Sequence, residues 1–275
     1  MRFGYGTNGF ANHRLGDALR VLSDLGYDGV ALTLDHQHLD PFGPDLARRV
    51  ASLAADLERL GLAVVVETGA RFLLDPWRKH SPTFLDPDRA LRVEFLSRAV
   101  EIAADLGAEA VSFWSGNKPA GLSTSDAWEY LVAGCADVLK AADEHDVKIG
   151  FEPEPGMLVE DLTGYFELSR RLGDPERFGL TLDIGHCRCN ETASVPDCVR
   201  RALPRLVNVQ IDDMRRGTHE HLEFGQGEID FPPVLEALSP YPGLVAVELP
   251  RDSHAAPRIA RESLEFLRAA AAVTA

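Results

Sequence analysis

The stretch Lys148-Ile149-Gly150-Phe151-Glu152-Pro153-Glu154-Pro155 is a short apolar run that stops on a carboxylate and is broken by prolines. The same construction returns three times downstream: Gly179-Leu180-Thr181-Leu182-Asp183, Leu206-Val207-Asn208-Val209-Gln210-Ile211 and Leu244-Val245-Ala246-Val247-Glu248-Leu249. Runs this short and apolar, bounded by glycine or polar residues, read as parallel strands covered on both faces. Upstream, Arg2–Gly6, Gly29–Leu34, Ala63–Glu67 and Ala110–Trp114 read the same way.

Between the runs lie helical patterns. Leu46, Val50, Leu53, Leu57 and Leu60 fall at helical spacing within Asp45–Leu60, as do Val93, Leu96, Val100 and Ala103 within Arg89–Leu106. Leu25-Gly26, Leu60-Gly61 and Leu106-Gly107 each close a helical pattern just before a strand. Glycine there can take the left-handed conformation that ends a helix. Eight strands, each followed by a helical segment, predict a single-domain α/β (β/α)8 TIM barrel over residues 1–275 rather than an open doubly wound sheet. Gly4-Tyr5-Gly6-Thr7-Asn8-Gly9 after the first strand lacks the spacing of a dinucleotide loop.

Composition narrows the function. The 275 residues carry a net charge of −15, which disfavours nucleic acid, since phosphate binding needs a basic surface. The N-terminus lacks the apolar stretch of a signal peptide, and no run reaches a membrane span. Four cysteines (Cys135, Cys187, Cys189 and Cys198) in a chain too large to need stapling suit a reduced, cytoplasmic protein. Cys187-x-Cys189 with a distant Cys198 is not a zinc-ribbon spacing, and buried free thiols are the simpler reading.

In a barrel the strand C-termini share one rim, and active sites gather there. Consecutive strands thus bring Glu152, Asp183, Gln210 and Glu248 to equivalent heights. Three carboxylates together repel one another and stay protonated unless a cation holds them. A divalent metal is the economical solution, and oxygen donors favour Mn2+ or Mg2+, with Co2+ or Zn2+ as alternatives.

The runs Phe-Glu-Pro, Leu-Asp-Ile-Gly-His, Val-Gln-Ile-Asp-Asp, Gly-Gln-Gly-Glu-Ile-Asp-Phe (Gly225–Phe231) and Val-Glu-Leu resemble the xylose-isomerase-like sugar isomerase/epimerase superfamily. The resemblance implies one divalent metal held by Glu152, Asp183, Gln210 and Glu248. The third position is usually histidine there, and Gln210 is similar to the hydroxypyruvate-isomerase branch. It also implies that His186 binds substrate, as does a basic residue after strand seven, for which Arg215, Arg216, His219 and His221 compete. A glutamate that many ketose epimerases carry shortly after the strand-five ligand is here Leu158, with Glu154 nearby.

A metal chelated by a carbonyl and adjacent hydroxyl acidifies the neighbouring carbon–hydrogen bond. By the same resemblance, Glu152 and Glu248 are expected to remove and return that proton through an enediolate. The expected enzyme is a metal-dependent isomerase or epimerase of a small hydroxy-ketone, sugar or keto-cyclitol. Alternatives are a keto-inositol dehydratase-type lyase, an abasic-site endonuclease and a non-catalytic barrel. Barrels of this kind often pair, so a homodimer is expected. Further candidates at the mouth are Glu67 and Trp114, a possible platform for a sugar face. Arg71, Lys79 and His80 lie in a long loop after strand three. Charged surface loops are the plain alternative for these, and for His36 and His38 after strand two.

Overall fold

Glycine closes the first three helices as the Leu-Gly pairs predict. Gly26, Gly61 and Gly107 have φ of 89°, 66° and 63°, and each donates its N–H back to the last turn. A side chain would be strained in that conformation, so the chain turns there and enters the next strand. The helices are α1 (Leu15–Leu25), α2 (Leu46–Leu60), α3 (Arg89–Leu106), α4 (Thr124–His145), α5 (Leu162–Arg171), α6 (Ile184–Asn190), α7 (Val195–Ala202), α8 (Phe231–Leu238) and α9 (Ala256–Ala272).

The computed structural model describes residues 1–273; Thr274 and Ala275, the last two of the expected span, lie outside the described residues. The strands are β1 (Arg2–Gly6), β2 (Gly29–Thr33), β3 (Ala63–Glu67), β4 (Val111–Phe113), β5 (Ile149–Phe151), β6 (Phe178–Asp183), β7 (Leu206–Ile211), β8 (Asp213–Arg215), β9 (Thr218–Leu222) and β10 (Leu244–Val247). Eight of them close a parallel barrel in the order β1-β10-β7-β6-β5-β4-β3-β2, a (β/α)8 TIM barrel. β8 and β9 form a separate antiparallel hairpin, which the sequence reading did not foresee. Among the described residues no helix is long and apolar enough to cross a membrane.

The core has two parts. Between strands and helices lies a continuous apolar shell that includes Phe95, Phe113, Phe151 and Phe178, all buried. Each such side chain contributes about 1.5–3 kcal/mol on burial. A second, small apolar cluster consists of Ala31, Val65, Leu244 and Ala246. Polar side chains also cross the interior. Ser112 Oγ donates to Thr181 Oγ1 at 2.8 Å, and Asn208 Nδ2 donates to Glu67 Oε1 at 3.0 Å. Position 150 must be glycine here, because a Cβ would collide with Thr181 Oγ1. These side chains come from β4, β6, β7 and β3, so the polar contacts tie opposite walls together.

Candidate active site

Strand register sets the heights of the acidic residues. Asp183 on β6 pairs with Gln210 on β7, and Gln210 pairs with Ala246 on β10. One step beyond the strands, Glu152 N donates to Phe113 O at 2.9 Å and Glu248 N to Ile211 O at 3.1 Å. The four expected metal ligands therefore sit around one rim.

A cavity of about 410 Å³ opens at that rim. Of the expected site residues, Glu67, His80, Trp114, Glu152, Gln210, His221 and Glu248 line it. Asp183 and His186 line a small adjoining recess with Pro153 and Cys187. Arg216 lines neither: its exposed guanidinium donates to Glu191 O at 2.6 Å. His219 and His221, two apart on β9 and so on one face, line the cavity, whereas Arg216 lies in the turn between β8 and β9.

The donors fall into overlapping groups. Asp183, His221 and Glu248 each offer a ligand atom within 4.8 Å of the others, and so do Glu152, Glu154 and His186. Glu152 and Glu248 thus fall in different groups, with His221 beside Asp183 and Glu248. Asp183 Oδ2 and Gln210 Oε1 are buried without a hydrogen-bond partner. Burial drives the carboxyls of Glu152 and Asp183 well above the usual range; Glu154 and Glu248 add to the first effect, Asp212 to the second. Orphaned oxygens and carboxyls forced toward protonation are what a cation-binding donor set shows when no cation offsets the charge. These residues fit a divalent ion.

Three histidines pack together where the cavity, lined by His219 and His221, meets the recess that holds His186. His186 Nδ1 donates to Pro153 O at 3.2 Å, which leaves Nε2 to accept from His219 Nε2 at 3.1 Å. Burial, then the charges of His221 and His219, hold the His186 pKa well below its ordinary value, so the ring is neutral. His221 is the opposite case. Burial would lower its pKa, but Asp212, with Oδ2 at 2.5 Å from Nδ1, together with Glu248 and Asp183 raises it to about 10. The His221 imidazolium thus partly offsets the carboxylates. His219 Nε2 also lies 3.5 Å from Glu154 Oε1.

Several contributors escaped the sequence reading. Asn8, just past β1, donates Nδ2 to Glu248 Oε1 at 3.0 Å. Its signal is its place just past the end of β1. Asp212 was quoted within strand seven without a role. The adjacent Asp213 is structural: Oδ2 accepts from the N–H groups of Gly225 (2.9 Å) and Gly227 (2.8 Å), and Oδ1 from those of Met214 (2.9 Å) and Ile229 (3.1 Å). The Gly-Gln-Gly-Glu-Ile motif is therefore a loop wrapped round one carboxylate. His38 is buried and bonded to His13 O at 3.3 Å, away from this cavity. All four cysteines are buried and free.

Comparison with known proteins agrees with this architecture. The family described as "Xylose isomerase-like TIM barrel" matches residues 19–270. The L-ribulose-5-phosphate 3-epimerase UlaE of Shigella flexneri is 23% identical over 241 residues, covering 85% of this chain and 81% of that protein. A solved L-ribulose 3-epimerase superposes with a TM-score of 0.80 at 21% identity, covering 99% of this chain and 95% of that one. The IolI protein, solved with a bound zinc atom, superposes with a TM-score of 0.76 at 17% identity over 100% of this chain and 99% of its own. At such identities the structural likeness is one of fold.

Proposed function

The chain belongs to the xylose isomerase-like TIM barrel family, and from that premise we propose that it is a divalent-metal-dependent isomerase or epimerase of a small hydroxy-ketone, sugar or keto-cyclitol. The carrying observation is that Glu152 and Glu248, from strands on different sides of the barrel, face one cavity that also holds the metal-type donors. The sugar epimerases among its relatives support the substrate class.

A divalent ion held by Asp183, Gln210 and Glu248, with Glu152 and His221 at its edge, would supply Lewis acidity toward a substrate carbonyl. The protein's own groups do the rest. Glu152, protonated or not according to the ion beside it, exchanges a proton with the carbon next to the carbonyl, and Glu248 does so from the other side. Asn8 occupies Glu248 Oε1 and so orients that carboxylate. Neutral His186 and charged His221 hold substrate oxygens, while Trp114, Glu67 and His80 bound the sugar toward β3 and β4. Return of the proton on the opposite face epimerises; return to the neighbouring carbon isomerises. The finer assignment to the hydroxypyruvate-isomerase branch rests on Gln210. With an imidazole so close, Zn2+ and Co2+ stand beside Mn2+ as the resident ion. The buried thiols accord with a reducing compartment such as the cytoplasm.

The test is solvent exchange. Protein loaded with Mn2+ is incubated with ketoses, hydroxypyruvate and keto-inositols in D2O, and deuterium uptake is followed by NMR. Glu152→Gln and Glu248→Gln are each expected to slow exchange by about 10²–10⁴-fold, the usual worth of a positioned acid or base. Full exchange in a metal-binding Glu152→Gln protein rejects the role given to Glu152. A product lighter by one water marks the lyase alternative.

A further inference from the structure

The cavity carries opposite charge at its two ends. Glu67, Glu152 and Glu248 lie among the donors at the rim of the strands, whereas Arg71, Lys79 and Arg251 come from loops beyond it. Arg71 reaches across the mouth and donates to the carbonyls of Asn8 (3.3 Å) and Pro250 (3.4 Å), neutral partners that leave its charge uncompensated. Lys79 has no hydrogen bond and no ion pair among the described residues. Its pKa lies below the ordinary lysine value, through desolvation first and then the charges of Arg71 and Arg251, so the three cations feel one another. Arg251 has a carboxylate partner, Glu220, at 3.2 Å. The carboxylate facing Lys79 is Glu154, which shares the cavity lining with it. No ion pair joins that carboxylate to the lysine among the described residues. Three cations gathered with one ion pair among them, Arg71 and Lys79 having none among the described residues, in a chain of net charge −15, mark a place where an anion is missing.

We propose that Arg71, Lys79 and Arg251 form an anion subsite, and that the substrate is a hydroxy-ketone with a phosphoryl or carboxylate group on a carbon remote from the reacting centre. The inference rests on the function proposed above and narrows its substrate. A three-carbon keto acid carries its charge beside the reacting carbons, where the cavity is already acidic. A longer ketose with a terminal anion places its carbonyl at the metal-type donors and its charge at the mouth. Guanidinium and ammonium groups both suit phosphoryl and carboxylate oxygens.

The experiment has two arms on the full chain as purified. In the first, inorganic phosphate is titrated by calorimetry into the wild type, Lys79→Met and Lys79→Arg. Lys79 is exposed, and an unchanged Tm confirms that the variants fold. Wild type is expected to bind, Lys79→Met to bind about tenfold or more weakly, the size of a lost hydrogen bond to a charged group, and Lys79→Arg to retain binding. In the second, Mn2+-loaded protein exchanges deuterium into ribulose, ribulose 5-phosphate and fructuronate, a ketose ending in carboxylate. A lower KM for either anionic ketose than for ribulose is expected, with that preference shrinking in Lys79→Met; the better of the two identifies the anion. Phosphate binding that is absent, or equal in Lys79→Met, overturns the subsite, and so does a neutral ketose used as well as both charged ones. If no ketose exchanges at all, the proposed function fails, and the phosphate titration still decides the subsite.

Discussion

Asn208 on β7 donates its Nδ2 to Oε1 of Glu67 on β3 at 3.0 Å, across the interior of the barrel. Both residues are buried. Burial, then the charge of Glu248, raises the Glu67 pKa to about 8, while Asn208 and Ser112 pull it back by hydrogen bonding. The amide therefore holds a carboxyl at the cavity that would otherwise be still harder to ionise. Asn208→Leu is expected to lower stability in urea by about 1–3 kcal/mol, the cost of a buried polar group left unpaired. It is also expected to move the Glu67 titration, followed by carboxyl NMR, to higher pH. A Glu67 titration that does not move contradicts the coupling.

Asp213 anchors the loop after the hairpin through the N–H groups of Gly225, Gly227 and Ile229, and accepts a fourth from Met214 beside it. Asp213→Ala strands all four donors, so a loss of about 3 kcal/mol or more is expected in denaturant unfolding. Amide exchange should accelerate most over residues 213–231. Uniform acceleration through the barrel would mean that the carboxylate supports the whole fold rather than this loop.

Asp183 has two duties that one substitution separates. Its Oδ1 accepts the His186 N–H at 2.8 Å and caps α6, whereas Oδ2 is unpartnered. Asparagine can still cap a helix but offers a neutral ligand. Asp183→Asn is expected to keep the fold by circular dichroism and to bind Mn2+ at least about tenfold more weakly, since a carboxylate's charge is lost from the site. Undiminished metal stoichiometry by elemental analysis would remove Asp183 from the ligand set.

Metal-free protein should lose stability as pH rises from neutral. Burial and Glu248 raise Glu67 and Glu154 from 4.5 to about 8, so the folded state holds more protons than the unfolded one between those values. Stability falls through that window. Burial lowers the His221 pKa, but Asp212, Glu248 and Asp183 together raise it, from 6.5 to about 10; its contribution is full below 6.5 and is lost as pH climbs toward 10. Burial instead depresses His80 and His219 to about 4, which costs stability as pH falls from 6.5. Between pH 4.5 and 6.5 the two histidines and the two glutamates oppose each other, so the Tm of EDTA-treated protein is expected to fall most steeply between pH 6.5 and 8, where the glutamate and His221 losses coincide. Added Mn2+ should raise Tm more at higher pH, where the carboxylates give up their protons to the ion. A metal effect independent of pH would contradict this donor set.

The barrel was legible in the chain because its signals are local. Apolar runs such as Leu206–Ile211 mark strands covered on both faces, and Gly26, Gly61 and Gly107 mark where helices must stop. Parallel strands with a common rim then make Glu152, Asp183, Gln210 and Glu248 neighbours in kind. Which atoms meet is another matter. His221 lies beside Asp183 and Glu248 because a short polar hairpin folds back over the rim, and Arg216 sits in its turn, bonded to Glu191 O. Asn8 reaches Glu248 across 240 positions of sequence. Periodicity reports which face a residue shares with its near neighbours. Ligand distance, burial and the pKa values that follow depend on segments far apart in the chain, and only the closed barrel brings these together.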